Sequence, residues 1–350
     1  MKPTFYFLLF TLLLTSCSPA STPTPAEPQT VTVMTHDSFA IGEATIKAFE
    51  TENNAKVVFL QSGDAGAMLN QTILTKDAPL ADVLFGVDNT FLSRALDADI
   101  FEAYQSPALN DIPNAFKLDS SNRALPVDYG DVCINYDKNY FADNKLAVPQ
   151  SFEDLAKPEY KDLLVVENPA TSSPGLAFLL ATRVHFGDGY LDYWKSLKEN
   201  GVVVVDGWET AYYTNFSASS GKGPQTMVVS YASSPAAEVF FATEPLTESP
   251  TASIVAADMC FRQIEFVGTL RVKNGQNKPL AQKFVDFMLS QKFQEDMPLN
   301  MFVYPVNQKA QLPDVFVKYA DVAQSPATMS PDEIASNRDA WIEAWTEAMK

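Results

Sequence analysis

VVVVDGWETAYY, residues 202–213, is the stretch from which the rest of the chain can be read outward. Four consecutive valines suit a short buried strand. Asp206-Gly207 breaks the run, Trp208 follows at once, and Glu209, Tyr212 and Tyr213 begin a helix. A strand that passes through a glycine turn into a helix delivers its next side chains to the carboxyl edge of the sheet. That edge is where open α/β sheets bind ligands. The Trp208 indole is therefore a candidate platform for a flat ligand. Trp208 and Tyr212, one helical turn apart, suit a core stripe equally well.

Upstream, the same alternation repeats. Val31–Thr35, Lys56–Leu60 and Asp82–Gly86 read as strands, separated by helices over Glu43–Glu52 and from Gly66 to Lys76. Short connections between such elements predict a parallel sheet covered on both faces. Polar residues follow each strand: His36-Asp37-Ser38, then Ser62 and Asp64, then Asp88-Asn89. Around Leu125–Tyr136 two strand-like runs flank Asp128-Tyr129-Gly130, which suits a crossing between lobes. A second α/β set follows. It has strands at Leu163–Glu167, Val202–Val205 and Thr226–Tyr231, and helices from Ser151, over Leu176–Phe186 and over Tyr190–Lys198. The chain then returns through the strand-like Phe261–Lys273, an amphipathic helix over Pro279–Ser290 and an extended Phe302–Val306. It closes with a helix capped by Ser330, in which Trp341 and Trp345 form a packing stripe. The expected division is one lobe from residues 31–124 with 256–317, a second over 125–255, and a C-terminal helical extension over 318–350. Two α/β lobes with the chain crossing and returning describe a hinged clamp with a cleft between sheet edges.

The first seventeen residues read as a leader: a basic Lys2, an apolar run over Phe5–Leu14, then Leu14-Thr15-Ser16-Cys17. Cys17 sits where a bacterial lipobox places its lipid-carrying cysteine. Residues 18–30, SPASTPTPAEPQT, read as an extended tether. The net charge of −18 argues against nucleic acid and anionic surfaces as partners, and favours cationic ligands. Cys133 and Cys260 both lie in apolar segments, and either a disulfide or two buried thiols fits.

Little in the chain points to catalysis. There are two histidines, His36 and His185, and the second suits a structural place at a helix end. No spacing suits zinc, a dinucleotide or a phosphate loop, so neither metal nor cofactor is expected. A serine nucleophile, Ser172 or Ser234, remains the hydrolase alternative. The strongest polar feature is Thr171-Ser172-Ser173-Pro174-Gly175. Its hydroxyls suit a helix cap, and the same helix start offers N–H groups to a ligand.

The body resembles the thiamine-binding proteins of bacterial ABC importers, in the solute-binding class related to iron(III) and polyamine receptors. The resemblance is carried by Thr35-His36-Asp37-Ser38-Phe39-Ala40, Gly86-Val87-Asp88-Asn89, Pro126-Val127-Asp128-Tyr129-Gly130, and the Thr171–Gly175 run. It continues through Asp206–Tyr212, Ser230-Tyr231-Ala232-Ser233-Ser234-Pro235-Ala236 and Tyr304-Pro305-Val306. It implies a two-lobed periplasmic-binding-protein fold of the type II kind. It also implies a cleft for thiamine, a thiamine phosphate or a related cationic heterocycle, and delivery to a membrane permease by a lipid-anchored monomer on the outer side of the cytoplasmic membrane. Carried over by position, Trp208 and Tyr231 supply rings, Asp64 an acid, and Thr171 and Ser172 hydroxyls, and Tyr212 is counted with them as a ligand-binding residue. His36 and Phe302 stand where the family has a tyrosine and a tryptophan. Ala237 stands where the family has an aromatic, which leaves a thinner aromatic box. An iron(III) receptor using Tyr212-Tyr213, or a polyamine or phosphonate receptor, is the alternative within the same fold.

Overall fold

The computed structural model describes Met1 and residues 27–218, 222–271 and 278–350. The leader, Cys17 and most of the expected tether lie outside the described residues. Eleven strands are described: β1 Gln29–Thr35, β2 Ala55–Gln61, β3 Val83–Asp88, β4 Phe101–Glu102, β5 Leu125–Asp137, β6 Leu164–Glu167, β7 Val203–Val205, β8 Met227–Tyr231, β9 Thr251–Ile254, β10 Phe261–Leu270 and β11 Tyr304–Pro305. They follow the path β2-β1-β3-β10-β5-β8-β6-β7, with β4 on β10, and β9 and β11 on β5. The two ends of that path are parallel, as the strand–helix alternation requires. Between them, β10 and β5 run antiparallel to each other and to β3 and β8 respectively. The result is a mixed α/β, two-lobed molecule.

The crossing is made by long strands rather than loops. The two runs flanking Asp128-Tyr129-Gly130 are one continuous strand of 13 residues. Its first part pairs with β10 and its last part with β8 and β9. Likewise β10 pairs with β5 along its first part and with β3 along its last. The structure resolves the cysteine pair as a disulfide, Cys133–Cys260, at this crossing.

β3 and β6 are buried along their whole length, as expected of strands covered by helices on both faces. The four-valine stretch differs from expectation. β7 is half-buried because, among the described residues, it is the edge strand of its lobe and lacks a neighbour on one side. Another departure concerns Phe302, which has φ 55° and turns the chain where an extended run was expected. An aromatic residue in the left-handed region is strained. β1 also begins at Gln29, two residues into the expected tether.

On one side of the sheet Val33, Phe49, Phe85, Phe284 and Phe293 form one core. A second and larger core gathers Phe152, Phe178, Trp194 and Phe266. Burying one such ring contributes roughly 1.5–3 kcal/mol. The C-terminal helix, Pro331–Met349, is capped by Ser330 as its sequence indicates. Trp345 packs edge-on against Trp194 at 5.4 Å, and Arg338 lies over Phe91 at 5.5 Å. The helix therefore touches the β3 side of the molecule and the β6 side at once.

Candidate functional site

The strand ends converge. His36 follows β1, Asp64 follows β2, Asp88 ends β3, Trp208 follows β7 and Tyr231 ends β8. Between them lies a cavity of about 290 Å³, walled by His36, Ser38, Trp208, Tyr213, Tyr231, Phe241, Glu265 and Phe302 among others. That is near the lower end of small-molecule sites. A small annex of about 20 Å³ shares His36, Trp208, Tyr231 and Glu265 with it and adds Asp64 and Gln263.

Trp208 is held at every polar atom. Its indole N–H donates to Ser230 Oγ at 2.8 Å and its backbone N–H to Asp64 Oδ2 at 3.1 Å. Tyr212 stacks beneath it at 5.0 Å and 20°, Tyr213 meets it edge-on, and Tyr231 stands 6.4 Å away at 63°. The segment after Trp208 is one helical turn that widens into a π-turn over Ala211–Asn215, a form that recurs at functional sites. The widening presents Tyr212 and Tyr213 at 82° to each other. The Tyr212 phenol is buried and donates to Glu238 at 2.6 Å, so this residue supports the platform with its ring while its hydroxyl is occupied. Tyr231 donates to Gln263 at 3.0 Å, and Gln263 donates to Ser173 at 2.8 Å.

Asp64 gathers three backbone donors: its own helix start at Ala65 (2.6 Å), Ser173 (3.2 Å) and Trp208 (3.1 Å). Burial still pushes its carboxyl above the ordinary range, against the lowering by the Trp208 and Ser173 N–H groups. Here the hydroxyl-cap expectation is corrected. The helix Ser173–Phe186 has Ser172 at its N-cap with no side-chain bond, and the anion at its start is Asp64, reaching across from the end of β2. Thr171 and Ser172 line neither cavity. The Thr171 hydroxyl donates to the Asp206 carbonyl at 2.7 Å, and its own carbonyl accepts from Gly66 and Ala67. A Cβ at Gly66 would lie 2.8 Å from that carbonyl oxygen, so the approach requires glycine. These bonds clasp the β2 side to the β6 and β7 side. Ser233 adds another clasp by donating to the Phe302 carbonyl.

Of the eight residues read from the sequence, the structure gathers His36, Trp208, Tyr212, Tyr231 and Phe302 on the cavity and Asp64 on its annex. It sets Thr171 and Ser172 behind them. Glu265 was missed because it lies inside a strand rather than after one. The polar/apolar alternation along Gln263-Ile264-Glu265-Phe266 was a usable signal. Phe241 was missed too. It stands four residues after Ala237 and lines the cavity with its ring 5.4 Å from Phe302.

His36 has two partners. Nδ1 meets Ser38 Oγ at 2.9 Å, and Nε2 lies 3.2 Å from Glu265 Oε1. Burial alone would lower its pKa, but the Glu265 carboxylate, with Asp64 and Asp37 beside it, raises it above the ordinary value. Neither Ser172 nor Ser234 meets this imidazole; Ser234 faces Ser230 at 2.9 Å. The remaining histidine, His185, pairs with Glu153 at 3.1 Å, away from the cleft.

The comparisons with known proteins agree with this architecture. Residues 78–322 match the family model described as bacterial extracellular solute-binding protein. The chain is 32% identical to a thiamine-binding periplasmic protein of Salmonella typhimurium, with 97% of each chain covered. It is 31% identical to the protein of the same name from Escherichia coli K12, covering 96% of this chain and 99% of that one. A solved structure called periplasmic thiamin binding protein superposes with a TM-score of 0.81 at 28% identity, over 92% of this chain and 97% of that chain. On the family match and the near full-length similarity, the chain belongs to the bacterial extracellular solute-binding proteins.

Proposed function

We propose that this protein is an extracytoplasmic receptor that captures thiamine, a thiamine phosphate or a related cationic heterocycle and hands it to the permease of an ABC importer. The single observation that carries the reading is the composition of the cleft wall. Trp208, Tyr213, Tyr231, Phe241 and Phe302 offer rings, while Asp37, Glu209 and Glu265 offer carboxylates. Among the described residues, no Lys or Arg lines it. A thiazolium over an aromatic face gains about 0.5–2 kcal/mol. The names of the relatives point the same way. His36, Asp64, Trp208, Tyr212, Tyr231 and Phe302 form the ligand site in this reading, and Thr171 and Ser172 hold the clasp that shapes it. Residues 31–124 with 256–317 and residues 125–255 act as the two closing lobes, with 318–350 as the extension that spans them. The protein works as a monomer, tethered outside the cytoplasmic membrane through a lipid on Cys17.

A ferric reading gains nothing from Tyr212. Its phenol is buried and its hydroxyl is already engaged in donating to Glu238 at 2.6 Å. The Ser38–His36–Glu265 array superficially resembles a hydrolase triad. Neither serine read as a nucleophile from the sequence, Ser172 or Ser234, meets this imidazole, and Ser234 pairs with Ser230 at 2.9 Å instead. Titration with thiamine while following tryptophan fluorescence tests the receptor reading. A saturable change is expected, and no response at high micromolar thiamine would count against it.

A further inference from the structure

Among the described residues, Glu265 is the one cleft carboxylate seated in the crossing itself. It lies directly opposite Asp88 of β3 on one side and Asp128 of β5 on the other. Three carboxyl groups in a row across adjacent strands repel strongly if all are charged. Asp88 and Asp128 are fully buried, and Glu265 is 5% exposed at the cavity wall. Burial first, and the Glu265 charge after it, hold Asp128 well above the carboxylate range and push Asp88 up to about 7. Of the three carboxyl groups, Glu265 is the one at the cavity wall. Its one charged partner among the described residues is His36 at 3.2 Å.

His36 is fixed in that place. A Cβ at Gly86 would sit 2.3 Å from His36 Cδ2, and Gly86 has φ +101°, so only glycine leaves room for the ring. Ser38 holds Nδ1. The other groups facing the pair are all acidic or neutral: Asp37 beside His36, Asp64 after β2, Glu209 after β7, Tyr231 at the end of β8 and Gln263 along β10.

We propose that Glu265 is the cation-recognising carboxylate of the cleft, and that the His36 imidazolium is its resident counter-ion, displaced in charge when a cationic ligand binds and the His36 proton leaves to solvent. The inference rests on the receptor reading above and adds a charge rule to it. Below the His36 pKa, an incoming cation meets a neutralised carboxylate and a like charge. Above it, the cation meets Glu265 unmasked. A cationic ligand therefore binds more tightly as pH rises, and binding releases a proton. A neutral ligand of the same shape gains nothing.

The test is isothermal titration calorimetry on the full chain with two probes: thiamine, and an isostere in which a neutral thiophene replaces the thiazolium. Between about pH 6 and about pH 8.5, thiamine is expected to tighten by about tenfold or more while the isostere stays level. The thiamine enthalpy should vary with the ionisation enthalpy of the buffer. Glu265→Gln should bring the two ligands to near-equal affinity, and His36→Asn should flatten the thiamine profile. If Glu265→Gln fails to fold, the His36→Asn profile decides alone. Two probes that bind alike in the native protein would overturn the charge rule and leave the receptor reading standing. A pH profile that survives His36→Asn would overturn the counter-ion. Binding of neither probe would remove the receptor reading, and the charge rule with it.

Discussion

Two aromatic pairs in this chain share one spacing and have opposite fates. Trp208 and Tyr212 stand four apart and stack at 20° beside an open cavity. Trp341 and Trp345 also stand four apart, on the C-terminal helix. There Trp345 is 3% exposed against Trp194, and Trp341 lies under the Arg183 guanidinium at 5.4 Å. The residues are nearly the same; the ends they occupy are not. Trp208 follows an edge strand at the carboxyl end of a sheet, where strand ends leave space. The C-terminal pair lies on a long helix laid over two helices of the scaffold. Spacing makes a stripe, and topology decides whether the stripe faces a ligand or a core.

The comparison is most sharply broken at Trp345. Trp345→Ala should cost about 3–5 kcal/mol of stability, the usual loss for a buried large aromatic, with thiamine affinity per folded molecule unchanged. Chemical denaturation measures the first quantity and titration the second. An affinity loss without a stability loss would reverse the assignment. The disulfide belongs with the scaffold too. It joins positions 127 residues apart, so replacing both cysteines with serine should cost about 2–5 kcal/mol. Unchanged denaturation under reducing conditions would refute that.

Trp208→Ala should do the opposite of Trp345→Ala. It should weaken thiamine binding by more than about tenfold, about 1.4 kcal/mol, and leave the denaturation midpoint close to native. Trp341→Ala, half-buried and remote, should change affinity by less than about twofold. Equal effects of Trp208→Ala and Trp341→Ala on affinity would refute the site assignment.

The smallest effect concerns pH and separates the buried acids of the cleft from the scaffold. Asp88 is held up to about 7, mainly by burial, so the folded chain keeps a proton that the unfolded chain releases above its own lower value. Stability from this group is full at low pH and is lost as pH rises from about 4 to about 7. Burial sets Asp128 and Glu167 in the same direction. His36, raised by Glu265 against burial, adds a loss on the alkaline side of its ordinary value. Asp119, lowered by its hydrogen bonds from Ser121, Arg123 and Ala124 against its burial, works the other way at acid pH. Thermal melts should therefore show lower stability at about pH 8 than at about pH 5, and Asp88→Asn should flatten the decline. A melting temperature that climbs across that interval would sink the account.

What the sequence by itself determined is the local order of elements and the polar residues set after each strand. Apolar period, glycine turns and caps act over a few residues, so β1, β2, β3, β6 and β8 were legible, as were His36, Asp64, Trp208 and Tyr231 at their ends. What only the tertiary structure decided is which distant groups share an environment. β7 is an edge because nothing among the described residues pairs beyond it. β5 runs unbroken because β10 and β8 both claim it. Glu265 faces the cleft because two strands set Asp88 and Asp128 beside it. Thr171 became a clasp because its hydroxyl donates to the Asp206 carbonyl while its own carbonyl accepts from the helix start at Gly66. Burial, charge repulsion and the saturation of backbone donors are properties of the assembled chain, and those forces chose the members of the site from the candidates that local pattern had put forward.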